Sequence, residues 1–426
     1  MTRREPPAPP AVERREDDFV TQVRRYKLIT PLFGGGVDPQ VADPVTVVRA
    51  TEVRGHLRFW WRATRGGQFD GSLKAMRAAE EKIWGSAGGT DKPGPSKVAI
   101  VMSQVKSGTT VRDVEISTRN GPQRVELGHP SSPYSYVAFP LRSERGKPAG
   151  ILRDGVEFTL TLRFPATCAV SVEAAVWAWE TFGGIGARTR RGFGALQCVE
   201  IQTGDERREM PPPNPQKVEG IVREGLNTHV ATGKWPSAVP YLVRDFLISQ
   251  KNGAANSDAA WQYLFRRLKN FRQARHDNDR GQPFGRSKWP EPDAIRDITG
   301  ESATKHSRRR LTFNKFPRAK FGLPIIFQFK DIDIRPNDPG QTTLQGKESD
   351  RLSSPLILRP IACENNRAVG LAAILNGPTD PPGGLILTGA FGERPVDSRL
   401  LPLEANQIEP LHGVTDVLQA FLDYLK

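Results

Sequence analysis

Cysteine is scarce in this 426-residue chain: Cys168, Cys198 and Cys363 are odd in number and far apart. They offer no disulfide framework and no zinc site, and this usage points to reduced thiols in a cytoplasm. Long apolar runs are also missing, and no stretch approaches the roughly 20 residues needed to span a bilayer. The opening Met1-Thr-Arg-Arg-Glu-Pro-Pro-Ala-Pro-Pro10 is polar and Pro-rich, so no signal peptide is expected there. The chain has neither the Gly-Lys-Ser/Thr of a P-loop nor a paired-aspartate metal signature. No cofactor and no metal are therefore expected.

What the chain has in excess is positive charge. A net +14 and a pI near 9.9 accompany 37% hydrophobic residues, the balance of a folded basic protein and not of a disordered tail. The expected partner is a polyanion. Nucleic acid outranks a membrane surface because the charge sits in internal Gly/Arg loops and not on one long basic amphipathic helix.

The centre of that pattern is Thr181-Phe-Gly-Gly-Ile-Gly-Ala-Arg-Thr-Arg-Arg-Gly-Phe-Gly-Ala195. Gly184, Gly186, Gly192 and Gly194 let the backbone take positive φ and approach a ligand. Successive N–H groups in such a loop can form an anion nest. Arg188, Arg190 and Arg191 add guanidinium forks suited to phosphates. The spacing lacks the third glycine of a dinucleotide fingerprint, so a track along a polymer fits better than a mononucleotide cradle. The competing reading is a flexible surface loop with solvated arginines.

In chain order, residues 1–20 read as a disordered arm. Val23–Thr30 is a strand, Phe33-Gly-Gly-Gly-Val37 a loop, and 52–65 a helix. Arg54, Arg58, Arg62 and Arg65 share one stripe of that helix, with Leu57 and Trp60 behind and Trp61 at the border. The stripe suits a run of phosphates, while Trp61 and His56 read better as packed side chains than as a stacking platform or a general base. Leu73–Trp84 is a second helix, Lys97–Val105 a strand, and 107–150 a Gly/Pro/Ser-rich insertion or hairpin arm. Val156–Phe164 is a strand, a helix capped by Ser171 follows, and Phe193–Ile201 leaves the glycine loop as a strand.

This order is βαββαβ, the α+β ferredoxin-like (RRM-like) arrangement, whose open sheet is a frequent RNA platform. The first domain covers 21–208, a Pro-rich linker 209–235, and a second α+β domain 236–426. In that second domain, Lys305–Lys320 interleaves seven Lys and Arg residues with Phe313 and Phe316, a pattern that suits single-stranded nucleic acid. Val414, Val417, Leu418, Phe421, Leu422 and Leu425 predict a closing helix.

Several stretches resemble one family. Ile29-Thr-Pro-Leu-Phe-Gly-Gly-Gly and Val53-Arg-Gly-His-Leu-Arg-Phe-Trp-Trp-Arg are similar to the opening of the RAMP proteins that serve as subunit one of the Cmr complex, the type III-B CRISPR effector. Phe182–Gly194 resembles the glycine-rich loop of RAMP proteins generally. Phe316-Pro-Arg-Ala-Lys-Phe-Gly-Leu-Pro-Ile-Ile-Phe and Ser353–Pro360 are also similar to that subunit.

The resemblance implies two ferredoxin-like RAMP domains in tandem, the first with a long insertion, in a cytoplasmic ribonucleoprotein. It implies a non-catalytic subunit that binds guide RNA towards its 3′ end, caps the backbone filament and supports antiviral defense. Its partners would be guide RNA, target RNA and other RAMP subunits, with no membrane. The family's RNA-contacting motif falls on Gly184, Gly186, Arg188, Arg190, Arg191, Gly192 and Gly194, while Arg54, Arg58 and Arg62 enter through the helical stripe. The alternative is a metal- or histidine-dependent RAMP endoribonuclease acting on guide precursor or target RNA. His56 is its candidate acid or base. Asp38 and Asp43 lie in the loop after the first strand, where Asp before Pro is also ordinary turn chemistry.

Overall fold

The computed structural model describes residues 18–426 except 35, 37–40, 42, 44, 87–93, 144–149, 278–284, 331 and 333–335. The arm expected over 1–20 lies outside the described residues up to 17, and its last residues are already strand. The chain opens with β1 (Phe19–Leu28), β2 (Leu32–Phe33), α1 (Ala50–Arg65) and α2 (Leu73–Trp84). It continues with β3 (Ala99–Val111), the hairpin β4 (Asp113–Thr118) and β5 (Gly121–Glu126), and α3 (Ser135–Ala138). Then come β6 (Leu152–Pro165), α4 (Ala169–Phe182), β7 (Leu196–Thr203) and β8 (Glu206–Glu209).

The central strand order is β3-β6-β1-β7, antiparallel throughout, with β2 added to β6 and β8 to β7. Alternation along β6 turns Val156, Phe158, Leu160, Leu162 and Phe164 to one face, where α1 and α4 cover them. Leu57, Trp60 and Trp61 of α1 meet Val172, Val176 and Trp179 of α4 in this core. Trp61 is 1% exposed and is a core residue. Each such large side chain contributes about 1.5–3 kcal/mol on burial. Ser171 does not cap α4. A 3-10 turn, Ala166–Cys168, feeds the helix directly and leaves Ser171 inside its first turn.

The opposite face of the sheet carries exposed Arg25, Lys27 and Arg163. Phe19 lies at its end with the Arg163 guanidinium 4.1 Å from its ring centroid. The central rows offer Thr159 and Thr161 where an RNA-stacking sheet carries aromatic rings.

The segment read as a linker folds and packs. It holds α5 (Val218–His229), whose His229 stacks on Trp177 of α4 at 5.0 Å. Beyond it lie β9 (Tyr241–Ala254), α6 (Ser257–Arg272), α7 (Glu291–Thr299), β10 (Ile325–Phe327), β11 (Thr342–Gly346) and β12 (Leu356–Ala362). The chain ends with β13 (Ala368–Asn376), β14 (Leu385–Gly389), β15 (Gly392–Val396), α8 (Pro402–Gln407) and α9 (Val417–Leu425).

These strands form two sheets, β12-β13-β9 and β10-β11-β14-β15. Among the described residues, the first of these has three strands where βαββαβ calls for four. Apolar patterning marks β9, β10, β12, β13 and β14 but not the more polar β11 and β15, and it carries no information about which sheet each strand joins.

The 107–150 insertion is not a free arm. Leu127, Val137, Ala138 and Leu141 enter a cluster with Phe33, Leu152 and Phe193 of the N-terminal half and Trp261 and Phe265 of α6. The insertion therefore helps to fill the seam between the halves.

Candidate nucleic-acid interface

The glycine loop between α4 and β7 runs through that seam. Most of its backbone is already satisfied by protein. The N–H groups of Ile185, Ala187 and Gly194 donate to the carbonyls of Gly194, Phe33 and Pro31 at 3.0, 2.7 and 2.9 Å. Gly186 N–H donates to the Glu52 carboxylate of α1 at 2.7 Å, so a side chain of the protein itself occupies that part of the expected nest. Buried Arg359 of β12 holds the carbonyls of Gly183 and Leu196 at 2.7 and 2.8 Å. Trp261 Nε1 donates to Arg191 O at 2.7 Å.

Two glycines show why the motif is glycine-rich. Gly194 has φ 60°, and a Cβ there would lie 1.9 Å from Ile185 O. Gly192 has φ 87°, and its Cβ would lie 2.5 Å from Trp261 Nε1. These positions are glycine because protein backbone and an indole pack against them. Gly184 is buried in the same turn, its carbonyl accepting from Trp179 Nε1 at 2.8 Å.

The loop arginines divide the work. Arg191 donates to Leu356 O and Phe321 O at 3.1 and 3.3 Å, and Arg190 donates to Ser354 O. Both reach across to the C-terminal half. Arg188, at φ 57°, lies over the ring of Phe139, 5.0 Å from its centroid, and Phe139 is 60% exposed. Arg190 similarly faces Phe59, at 5.5 Å. Arg272 of α6 donates to Tyr136 Oη at 2.8 Å.

Burial lowers the pKa of Arg188 and Arg190 from the ordinary arginine value. Burial, reinforced by neighbouring Arg272, brings Arg191 down to about 9. Among the described residues, no carboxylate forms an ion pair with Arg188, Arg190, Arg191 or Arg272. Four clustered cations balanced only by carbonyls, a phenol and aromatic faces make a site that favours an incoming anion.

The α1 stripe ends up elsewhere. Arg58 Nε and Arg62 Nη1 both donate to Glu80 Oε1 of α2, at 2.6 and 2.7 Å. Arg65 donates to His229 O at 3.3 Å. Arg54 Nε is buried without a hydrogen-bond partner among the described residues. The single phosphate-facing front expected from periodicity is therefore divided, because α2 and α5 pack across it.

His56 stacks on Trp179 at 6.5 Å and lies 3.7 Å from Glu52. Asp43 accepts from the N–H groups of Val45 and Thr46 at 2.9 and 2.7 Å, which is turn chemistry, and these bonds lower its pKa. Asp38 lies outside the described residues. The Lys305–Lys320 stretch is divided, with Arg308 and Arg310 exposed and its second half packed into the fold. Phe316 is buried, and Arg318, Lys315 and Lys320 pair with Glu291, Asp397 and Asp380. Among the described residues, no group of three or more His, Cys, Asp or Glu is placed to hold a metal, and no helix is long and apolar enough to cross a membrane.

Sequence reasoning passed over Phe139, Arg359, Glu52, Glu80 and Arg272. Phe139 sits in an insertion without periodicity. Arg359 sits in an apolar strand, where a lone arginine was the available signal.

Residues 25–197 match the RAMP superfamily. A Pyrococcus furiosus protein named CRISPR system Cmr subunit Cmr1-2 is 28% identical over 181 residues, 41% of this chain and 92% of that protein. Cmr1-1 from the same organism is 24% identical over 157 residues, 37% of this chain and 42% of that protein. The crystal structure of apo Cmr1 from P. furiosus aligns over 84% of this chain and 88% of its own, at 15% identity and TM-score 0.46. A cryo-EM structure of the type III-B Cmr-beta bound to cognate target RNA aligns over 95% and 100%, at 11% identity and TM-score 0.49. Residues 25–197 thus match the RAMP superfamily, and the chain is similar to the P. furiosus proteins named as Cmr1 subunits of the CRISPR Cmr system.

Proposed function

We propose that this chain is a non-catalytic RNA-binding subunit of a type III-B CRISPR (Cmr) effector ribonucleoprotein. It holds guide RNA towards the 3′ end and caps the filament of backbone subunits, and guide RNA, target RNA and other RAMP proteins are its partners. The observation that carries RNA binding is the arginine cluster Arg188, Arg190, Arg191 and Arg272, which has no carboxylate paired to it among the described residues. The names of the two P. furiosus relatives support the choice of complex.

In this reading Arg188, with Phe139 beside it, faces the RNA. Arg190 and Arg191 brace the loop and contribute charge, and Gly184, Gly186, Gly192 and Gly194 let it fold tightly enough to do so. The β3-β6-β1-β7 sheet, with helices after its first and third strands in sequence, is read as a ferredoxin-like domain over 21–208 with 107–150 inserted. The β9, α6, β12, β13, α9 succession is read as a second such domain over 236–426 without its last strand, and 209–235 joins the two.

Purification from the native host under gentle conditions tests this directly. Short RNAs sharing a 5′ tag, together with several RAMP proteins, are expected to co-purify, and a lone protein without RNA would overturn the proposal. Incubation of the purified chain with single-stranded RNA and Mg²⁺ is expected to leave the RNA intact. Cleavage abolished by Asp38→Ala or His56→Ala would replace the scaffold reading with the nuclease one.

A further inference from the structure

Arg58 and Arg62 lie on the wall of a second groove of about 530 Å³ between α1, α2 and residues 238–240, which meets the seam at Phe59, the ring that faces Arg190. Its volume is that of a small-molecule site. Glu80, 4% exposed, lies at its base and takes both guanidiniums on one oxygen. This fixes the two forks side by side and leaves Arg58 both Nη groups and Arg62 its Nε and Nη2 for a ligand. Among the described residues, no hydrogen bond reaches Glu80 Oε2. Phe59, Met76 and Pro240 supply apolar wall, and Leu73 stands at the mouth, 53% exposed. The other carboxylate lining the groove, Glu81, is occupied by Arg77 at 3.1 Å.

We infer that this groove binds one ribonucleotide unit, with phosphate on Arg58 and Arg62, a ribose hydroxyl on Glu80 and the base against Phe59, Met76 and Leu73. Two adjacent guanidinium forks match a phosphate. A buried carboxylate with an open acceptor position matches a sugar hydroxyl, the group that separates RNA from DNA. An apolar wall that includes an aromatic ring matches a base. The inference deepens the RNA-binding reading and, for an RNA ligand, rests on it. The same chemistry would also take a free nucleoside monophosphate.

The test uses the full chain and two probes, AMP titrated by calorimetry and a short single-stranded RNA carrying 4-thiouridine for photocrosslinking. Leu73→Glu places a carboxylate at the mouth from an exposed position, so the fold is not at issue, and Glu80→Gln replaces the charged sugar acceptor with a neutral amide. RNA is expected to crosslink to the peptides containing Phe59 and Met76, and Leu73→Glu is expected to abolish those crosslinks. A deoxyribose at the bound position should lower affinity about tenfold, as for loss of a hydrogen bond to a charged group, and this preference should shrink in Glu80→Gln, where the remaining hydrogen bond is to a neutral amide. Binding of AMP, sensitive to Leu73→Glu, without RNA binding would uphold the groove and remove the guide-RNA reading. RNA binding that Arg188→Ala weakens, but that neither crosslinks here nor responds to Leu73→Glu, would overturn the groove alone. Absence of binding by both probes would overturn both.

Discussion

Arg188 and Arg359 belong to the same seam and answer to opposite demands. Arg359 is 1% exposed, and its two Nη groups hold the carbonyls on either side of the glycine loop. Burial lowers its pKa to about 10, so its charge is tolerated only because those carbonyls meet it. Arg359→Ala is expected to cost about 3 kcal/mol or more, because it leaves two buried carbonyls unpaired, and urea denaturation reads this as a lower midpoint. Arg188→Ala removes no hydrogen bond among the described residues and is expected to leave the midpoint within about 0.5 kcal/mol while weakening RNA binding. A third residue makes stability depend on pH. Burial raises the pKa of Asp338, but Arg296, which reaches both its oxygens at 2.9 Å, and Ala303 N–H, with His306 nearby, bring it down to about 2. Its folded-state value lies below the unfolded 3.8, so its contribution of about 2 kcal/mol is complete above that pH and disappears as pH falls from about 4 to 2. Asp338→Asn should flatten this part of a Tm-against-pH curve, and an unchanged acid limb would contradict the assignment.

Among elements, the glycine loop shows how far pattern carries and where it stops. Helices α1, α2, α4 and α9 were legible because an amphipathic period is a local property, and the spacing of Leu57, Trp60, Val172 and Trp179 survives into the core. The loop was legible as a special backbone, but the same glycines serve a phosphate or a neighbouring carbonyl, and only tertiary structure distinguishes them. Gly194→Ala is expected to destabilise by about 3 kcal/mol or more through clash and positive φ, measurable by thermal unfolding without RNA. The Lys305–Lys320 stretch misled in the other direction. Interleaved rings and cations read as a stacking platform, yet the rings of Phe316 and Phe321 are core and Lys315, Arg318 and Lys320 face carboxylates far off in sequence. Phe316→Ala should therefore lose about 3–5 kcal/mol of stability, with RNA affinity unchanged in the fraction that remains folded. The seam between the halves was illegible because its parts, the insertion, the loop, α6 and β12, are separated by scores of residues and share no period.

At the scale of the molecule, a +14 chain meets its own charge unevenly. Around α7 and the Lys315–Lys320 region the basic side chains are paired, whereas in the seam four arginines lack carboxylates among the described residues. Net charge raises the encounter rate with any polyanion, and in the proposed reading the unpaired cluster determines where it is held. The measurement that tests this most directly is the salt dependence of single-stranded RNA affinity for the full chain and for Arg188→Ala combined with Arg272→Ala. The account predicts tight binding that falls linearly with log salt, and a variant slope shallower by about 0.7 for each phosphate that the variant no longer neutralises. Equal affinity and equal slope for the two proteins would contradict it.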